Sequence, residues 1–265
     1  MQAVSAGRLA SLIFLLGMLV MPATPAWAAA PATEGPYTDK ECTGCHTERD
    51  PELTRQLRSS RHGPESGLGC TSCHGDRHSA AVIKARQNST CSGCHEGPAS
   101  HSYATSKHGV ISTLELTEQD WRKPLKGGNY RTPGCSYCHL HDGNHGDTMA
   151  LEHGPELRHW ICAGCHSPRY VREQFANAKR QLEIADLKLE EGSALIATIS
   201  DGKSDAMSEL GRSLQHHRKN VLYGVGHQSP DYQWWLGQPA LDGDLIRIRE
   251  AIGRSIFRKA PGEEQ

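Results

Sequence analysis

The sequence predicts a mainly α protein with a loop-rich N-terminal region, a C-terminal region of long helices and essentially no β-sheet. Three observations predict it. From Arg169 to about Glu191, apolar residues recur at Phe175, Ala178, Leu182, Ala185 and Leu189, a 3-4-3-4 spacing that lines one face of a helix. No stretch shows the apolar–polar alternation of a half-buried strand. Between about residues 41 and 168 glycine and proline are frequent and hydrophobic periodicity is poor, so only short helices are expected there.

In chain order, the first 28 residues read as a Sec signal peptide. Arg8 supplies the positive charge, Leu9 to Val20 the apolar run, and Ala26-Trp27-Ala28 a small-x-small cleavage site. An uncleaved anchor is the alternative, but the run is short for a span and wrongly flanked. The next cysteine is Cys42, too distant for a lipoprotein anchor. The expectation is therefore an exported protein, periplasmic in type, cleaved near Ala28 and placed in an oxidising compartment. Residues 29–40 read as a loose leader rich in Pro, Ala and Gly. The expected boundaries are 1–28 for the signal peptide, 29–168 for a cofactor-binding region and 169–265 for a helical region.

Composition narrows the chemistry. Only 37% of the 265 residues are apolar, with three Phe, which is thin material for an ordinary side-chain core. A net charge of −1 offers no basic field for nucleic acid and no acidic solvating tail. The unusual features are ten Cys and sixteen His.

Every cysteine falls into one pattern: Cys42-Thr-Gly-Cys45-His46, Cys70-Thr-Ser-Cys73-His74, Cys91-Ser-Gly-Cys94-His95, Cys135-Ser-Tyr-Cys138-His139 and Cys162-Ala-Gly-Cys165-His166. Cys-x-x-Cys-His is the attachment site for c-type haem. The two thiols add across the vinyl groups, and the next His presents its imidazole to the iron as proximal ligand. A disulfide framework would not place His after every second Cys. Zinc knuckles need paired half-sites, and five do not pair evenly. The sequence thus predicts five covalently attached haems, whose flat apolar bodies replace the missing Phe and Leu as the core. With about 47 residues of mature chain per haem, neighbouring macrocycles are expected close together.

Five proximal histidines among sixteen leave eleven others: His62, His78, His101, His108, His141, His145, His153, His159, His216, His217 and His227. His62, His108 and His153 each precede Gly, which lets the backbone lie close to a macrocycle. His78 and His145 follow a motif at short range, too near to cap the same iron from its other face, and are expected to reach a neighbouring haem. The expected distal ligands are His62, His78, His108, His145 and His227, with His101 and His153 as rivals. Five bis-His haems would be six-coordinate and low-spin. Met149 and Met207 are the only methionines far from the signal segment, so low potentials are expected.

After Pro168 the helical stripe runs to Gly192, which is expected to interrupt it. Further helical runs cover about Asp205 to Leu222 and about Asp242 to Phe257. Core packing is the simplest use of the stripe, and a homo-oligomeric helix bundle the alternative.

Several phrases carry a resemblance. The run from Cys162 to Gln174 with the long helices after it, the segment Gly224-Val225-Gly226-His227-Gln228-Ser229-Pro230-Asp231-Tyr232-Gln233-Trp234-Trp235, and the stretch from Thr132 to His139 with His145 beyond resemble the C-terminal part of the hydroxylamine oxidoreductase family of multihaem cytochromes. The phrases around His62 and His108 resemble the related multihaem electron carriers. The resemblance covers about residues 55 to 257. It implies the fold of the C-terminal half and a ligand role for His227. Family members with oxidoreductase activity typically hold eight haems, one five-coordinate and catalytic, and often assemble as trimers through C-terminal helices. This chain has five motifs, and the resemblance puts the absent haems on the N-terminal side, so the catalysis is not carried over. Some members crosslink a Tyr to the catalytic haem, and Tyr232 is the nearest candidate by context. The leading expectation is an electron-transfer protein working between redox partners: a quinol dehydrogenase or other cytochrome, and a terminal reductase or oxidase. The alternatives are an enzyme acting on small nitrogen compounds at one open haem, and a structural conductor built from stacked subunits.

Overall fold

Local capping chemistry sets where the helices begin. Thr38 opens α1 (Asp39–Arg49) in a reciprocal box with Glu41: the Glu41 N–H donates to Thr38 Oγ1 at 3.4 Å and the Thr38 N–H to the Glu41 carboxylate at 2.8 Å. Asp50 caps α2 (Pro51–Ser59), with Pro51 at the first position, where no N–H donor is needed. The computed structural model describes residues 34–146, 160–198 and 205–259, with side chains to residue 254. These lie in the unit Glu34–Gln265; the other unit, Met1–Thr33, is outside the described residues, and with it the expected signal peptide. His153, His159 and Met149 are outside them too.

Short helices carry the N-terminal half: α3 (Cys70–His74), α4 (His78–Arg86), α5 (Asn88–Ser92), α6 (Pro98–Ala104), α7 (Lys107–Leu114) and α8 (Cys135–His139). The described residues contain no strand, as the pattern predicts. Long helices follow: α9 (Pro168–Ala197), α10 (Asp205–His227) and α12 (Gln238–Lys259), with the short α11 (Pro230–Trp234) between the last two. Ser167-Pro168 and Ser229-Pro230 repeat the cap-plus-proline start, the serines accepting from the N–H groups of Tyr170 and Tyr232.

The three long helices pack on one another around Ala185, Leu214, Val221, Val225, Leu241 and Ile248. Leu214, Leu241 and Ile248 are wholly buried, each contributing about 1.5–3 kcal/mol through area removed from water. The apolar stripe of α9 is thus core: Ala178, Leu182 and Leu189 line the same cluster. The interruption expected at Gly192 is not found, because α9 runs through it to Ala197. The glycine serves close approach instead. A Cβ there would stand 2.4 Å from Leu214 Cδ1, so its absence lets α9 and α10 touch. The second and third helices also outrun the sequence reading, reaching His227 and starting at Gln238.

The N-terminal half is built differently. Among described residues before 168, only Tyr137 and Ile161 are buried apolar side chains, while Thr54, Ser102, Ser106, Ser112, Thr132 and Ser136 are buried polar ones. Leu68, Val82, Val110 and Leu114 remain exposed instead of packing together. Side chains alone give this half no hydrophobic core of its own. Specific hydrogen bonds tie its turns instead: Thr71 N–H to Asp39 Oδ1 at 2.7 Å, Cys135 N–H to Asn88 Oδ1 at 2.9 Å and His145 N–H to Gln56 Oε1 at 3.0 Å. Packing of α6 against α10 joins the two halves.

Candidate haem centres

Each motif folds as a tight helical turn. Cys70–His74 and Cys135–His139 are complete short helices, the first motif lies inside α1, the third begins at the end of α5, and the fifth begins in a helical stretch at 160–163. A helical turn puts the two sulfurs on one side, with the following imidazole near them. Cys42, Cys45, Cys70, Cys73, Cys91, Cys94, Cys135 and Cys165 form no disulfide.

The imidazoles come in pairs. His46 lies against His78 with ring centroids 6.5 Å apart, His62 against His95 at 5.7 Å, and His74 against His145 at 5.9 Å. His108 and His166 are 6.1 Å apart, and His139 and His227 6.4 Å. Each of these five pairs joins one motif histidine to one of His62, His78, His108, His145 and His227, whereas a sixth pair, His216 with His217 at 5.4 Å, holds no motif histidine. A metal–nitrogen bond of about 2 Å on each face, with about 1 Å from nitrogen to ring centre, sets axial imidazoles about 6 Å apart. The pairs match that span. In one of them the nitrogens face each other at 3.4 Å, His62 Nε2 to His95 Nε2, closer than the about 4 Å that two such bonds need. The ring pairs, the motifs and the coreless N-terminal half together fit c-type haem.

Hydrogen bonding orients the rings. His74 Nδ1 donates to the Ala81 carbonyl at 3.2 Å and His145 Nδ1 to the Gly143 carbonyl at 2.8 Å. His227 Nδ1 lies 2.7 Å from Ser102 Oγ, whose own proton goes to the Ala99 carbonyl at 2.9 Å. The ring nitrogen must therefore be the donor. In all three, a protonated Nδ1 leaves the Nε2 lone pair for a metal, the usual outer-shell arrangement of a ligating histidine. Burial pushes His74 and His108 below the ordinary imidazole range, assisted by the facing His145 and His166. Burial, then the neighbouring His139, carries His227 down to about 4. These directions favour the neutral ring, the form that binds iron.

In the ring geometry His78 and His145 each lie against the histidine of another motif, not the one just before it. His101 is exposed and forms none of the five pairs. His217 is engaged elsewhere, its Nδ1 2.6 Å from the buried Asp244, which also binds Ser213 Oγ at 2.9 Å and Arg247. The glycines after His62 and His108 have a nearer reason than a macrocycle. A Cβ on Gly109 would collide with the Tyr103 carbonyl at 2.0 Å, and one on Gly63 with the Arg58 carbonyl at 2.8 Å. Tyr232 is buried against the backbone of Gly224, whereas the tyrosine ring beside His227 is that of Tyr103, at 6.2 Å. Sequence reasoning gave no notice of Ser102 or Tyr103 and assigned no role to Tyr170, whose ring lies 4.9 Å from His166.

Consecutive motifs are neighbours. Thr43 Oγ1 of the first is 4.0 Å from Cys70 Sγ of the second. Cys73 lies near Cys91 and Cys94, Cys91 near Cys135, and Cys138 near Cys162 and Cys165. The five turns form a series in chain order.

Such a set of motifs and ring pairs defines a multihaem c-type cytochrome. Residues 62–154 match the family described as seven times multi-haem cytochrome CxxCH, and residues 26–75 match cytochrome c554 and c-prime. Over residues 26–154 the chain is thus similar to multihaem c-type cytochromes. Over 83 residues it is 37% identical to a probable nitrite reductase-hydroxylamine oxidoreductase fusion protein of Kuenenia stuttgartiensis; the match takes in 29% of this chain and 10% of that one. The chain therefore spans about a tenth of that curated relative. Its fold is similar to a reducing HAO-like protein complex of Kuenenia stuttgartiensis, with a TM-score of 0.55 and 17% identity over 82% of this chain and 85% of that one. It is also similar to a hypothetical multiheme protein, with a TM-score of 0.58 and 16% identity over 75% and 60% of the two chains.

Proposed function

We propose that the chain is an exported pentahaem electron carrier whose five haems each take two axial histidines and lie in one conducting series. The observation that carries this is the set of five imidazole pairs, 5.7–6.5 Å apart, each with one motif histidine. Cys42 and Cys45, Cys70 and Cys73, Cys91 and Cys94, Cys135 and Cys138, and Cys162 and Cys165 are the thioether residues. The axial pairs are His46 with His78, His74 with His145, His95 with His62, His139 with His227, and His166 with His108. The bound group supplies the redox chemistry; the chain anchors it, orients the imidazoles and keeps them neutral. Met207 lies in the buried cluster of the long helices, which supports histidine-only ligation and low potentials.

A signal peptide ending near Ala28 supports a periplasmic location, and an electron carrier there meets a quinol dehydrogenase or another cytochrome on one side and a terminal reductase or oxidase on the other. Exposed Ile184, Leu187 and Ile246 on α9 and α12 support a homo-oligomer through the C-terminal helices. The names of the relatives point to hydroxylamine and nitrite chemistry, but an enzyme of that kind needs an iron with an open face. All five motif histidines have an imidazole partner, which favours the carrier.

The test is the spin state of the purified holoprotein. A carrier of this design is wholly low-spin when ferric and binds no carbon monoxide rapidly when ferrous. High-spin iron, or rapid binding at one site in five, would replace the carrier with the enzyme.

A further inference from the structure

Four of the five non-motif partners lie before residue 168, in the same half as the motifs. His227 does not. It is the last residue of α10, so the ring facing His139 of the fourth motif is delivered by the long-helix half. A ring brought in from the other half needs its own fixing, and two features supply it.

The first is the turn that carries it. Gln228, directly after His227, has φ +59°, the left-handed region that favours glycine. The Gln228 side-chain N–H donates to the Val225 carbonyl at 3.0 Å and the Ser229 N–H to the Gly224 carbonyl at 2.8 Å, which hold the turn against that strain. The second is α6. Ser102 and Thr105, about one helical turn apart, meet His227 and Ser229. Ser102 Oγ lies 2.7 Å from His227 Nδ1 and Thr105 Oγ1 2.8 Å from Ser229 Oγ, and both serines are wholly buried. The Ser102 hydroxyl gives its single proton to the Ala99 carbonyl at 2.9 Å, so towards the ring it can only accept. A hydroxyl that is already donating is polarised into a better acceptor. The rings of His74 and His145 donate to main-chain carbonyls, whereas His227 donates to a side chain.

We propose that Ser102 is a positioning residue for the fourth haem centre: its hydroxyl accepts the Nδ1 proton of His227, fixes the plane of the ring and holds the potential of that centre low. This rests on the reading that His139 and His227 are an axial pair. A hydrogen bond given by Nδ1 makes the imidazole more basic at Nε2. A more basic ligand favours the ferric over the ferrous ion, so an electron leaves this centre more readily. The proton stays on Nδ1, one electron arrives and one leaves, and no bond forms or breaks. The contact between Thr105 and Ser229 joins the same two halves through hydroxyls alone, which makes it the control.

The test compares the parent holoprotein with Ser102→Ala, Ser102→Thr, Thr105→Val and His227→Ala, all made in a host competent in cytochrome maturation. Haem content is measured first, then the ferric spin state and a potentiometric titration. His227→Ala identifies the component, as the one low-spin signal that gives way to high-spin iron. Ser102→Ala removes the acceptor. It is expected to move that component to higher potential, with the others in place and haem content unchanged. Ser102→Thr keeps a hydroxyl and is expected to titrate with the parent, as is Thr105→Val. A Ser102→Ala titration superimposable on the parent overturns the role of Ser102. So does a Thr105→Val shift of the same component by as much, since the hydroxyl of Ser102 would then act only by joining the halves. A His227→Ala protein that stays wholly low-spin overturns the underlying axial pairing instead.

Discussion

His145→Ala isolates one axial imidazole without disturbing the frame that holds it. The ring lies nearly parallel to that of His74, 5.9 Å away at an interplanar angle of 24°. Its backbone is fixed independently, through the His145 N–H to Gln56 Oε1 at 3.0 Å. Removing the ring therefore takes the partner from His74 and leaves the loop anchored. Since His74 and His145 form one of five pairs, about one fifth of the low-spin signal should disappear and an equal share of high-spin iron take its place. Ferrous protein should then bind carbon monoxide at about one iron in five. The assay is electron paramagnetic resonance of the ferric protein with carbon monoxide titration of the ferrous form, alongside His101→Ala, which should change neither. An unaltered low-spin signal in His145→Ala, or a loss in His101→Ala, would refute the assignment of axial partners.

Other outcomes follow from the packing and the charges. Leu214→Ala should destabilise the long-helix half by about 2–5 kcal/mol, since Leu214 is wholly buried against Gly192; a thermal midpoint unchanged from the parent would contradict this. Asp244→Asn should cost roughly 1–3 kcal/mol, because the buried carboxylate serves Ser213, His217 and Arg247 together, and denaturant unfolding measures it. Stability should be level above about pH 6.5 and fall as the pH drops towards 4. Burial holds the His227 ring below the ordinary imidazole range in the folded chain, so the unfolded chain takes up the proton first and stability is lost as the pH falls. His74 and His108, also lowered, act in the same direction, and a melting point that rises on acidification would contradict the assignment.

The helical half was legible because its signal is local: the stripe repeats within one helix, and from Ala178 to Leu189 it lands on the core. Gly192 misled because glycine marks a helix end and a close helix contact alike, and only the position of Leu214 on another helix distinguishes the two. The thioether and proximal residues were legible for the same local reason, as contiguous motifs. The candidate distal histidines stood out by number and phrase, but their partners did not. His62 meets His95 across 33 residues, and Ser102 meets His227 across 125, distances over which no sequence periodicity carries information. The coreless N-terminal half shows why composition was the useful guide there. Helices α3 to α8 are short, and four of them, α3, α4, α7 and α8, bring an imidazole into one of the five facing pairs.

The account stands on five porphyrins covalently held by ten cysteines. Intact-mass spectrometry of denatured holoprotein, made in a maturation-competent host and treated with a thiol-alkylating reagent, measures this directly. The expected species carries five haem masses and no alkyl groups. A chain with fewer haems and a matching number of alkylated cysteines would contradict it.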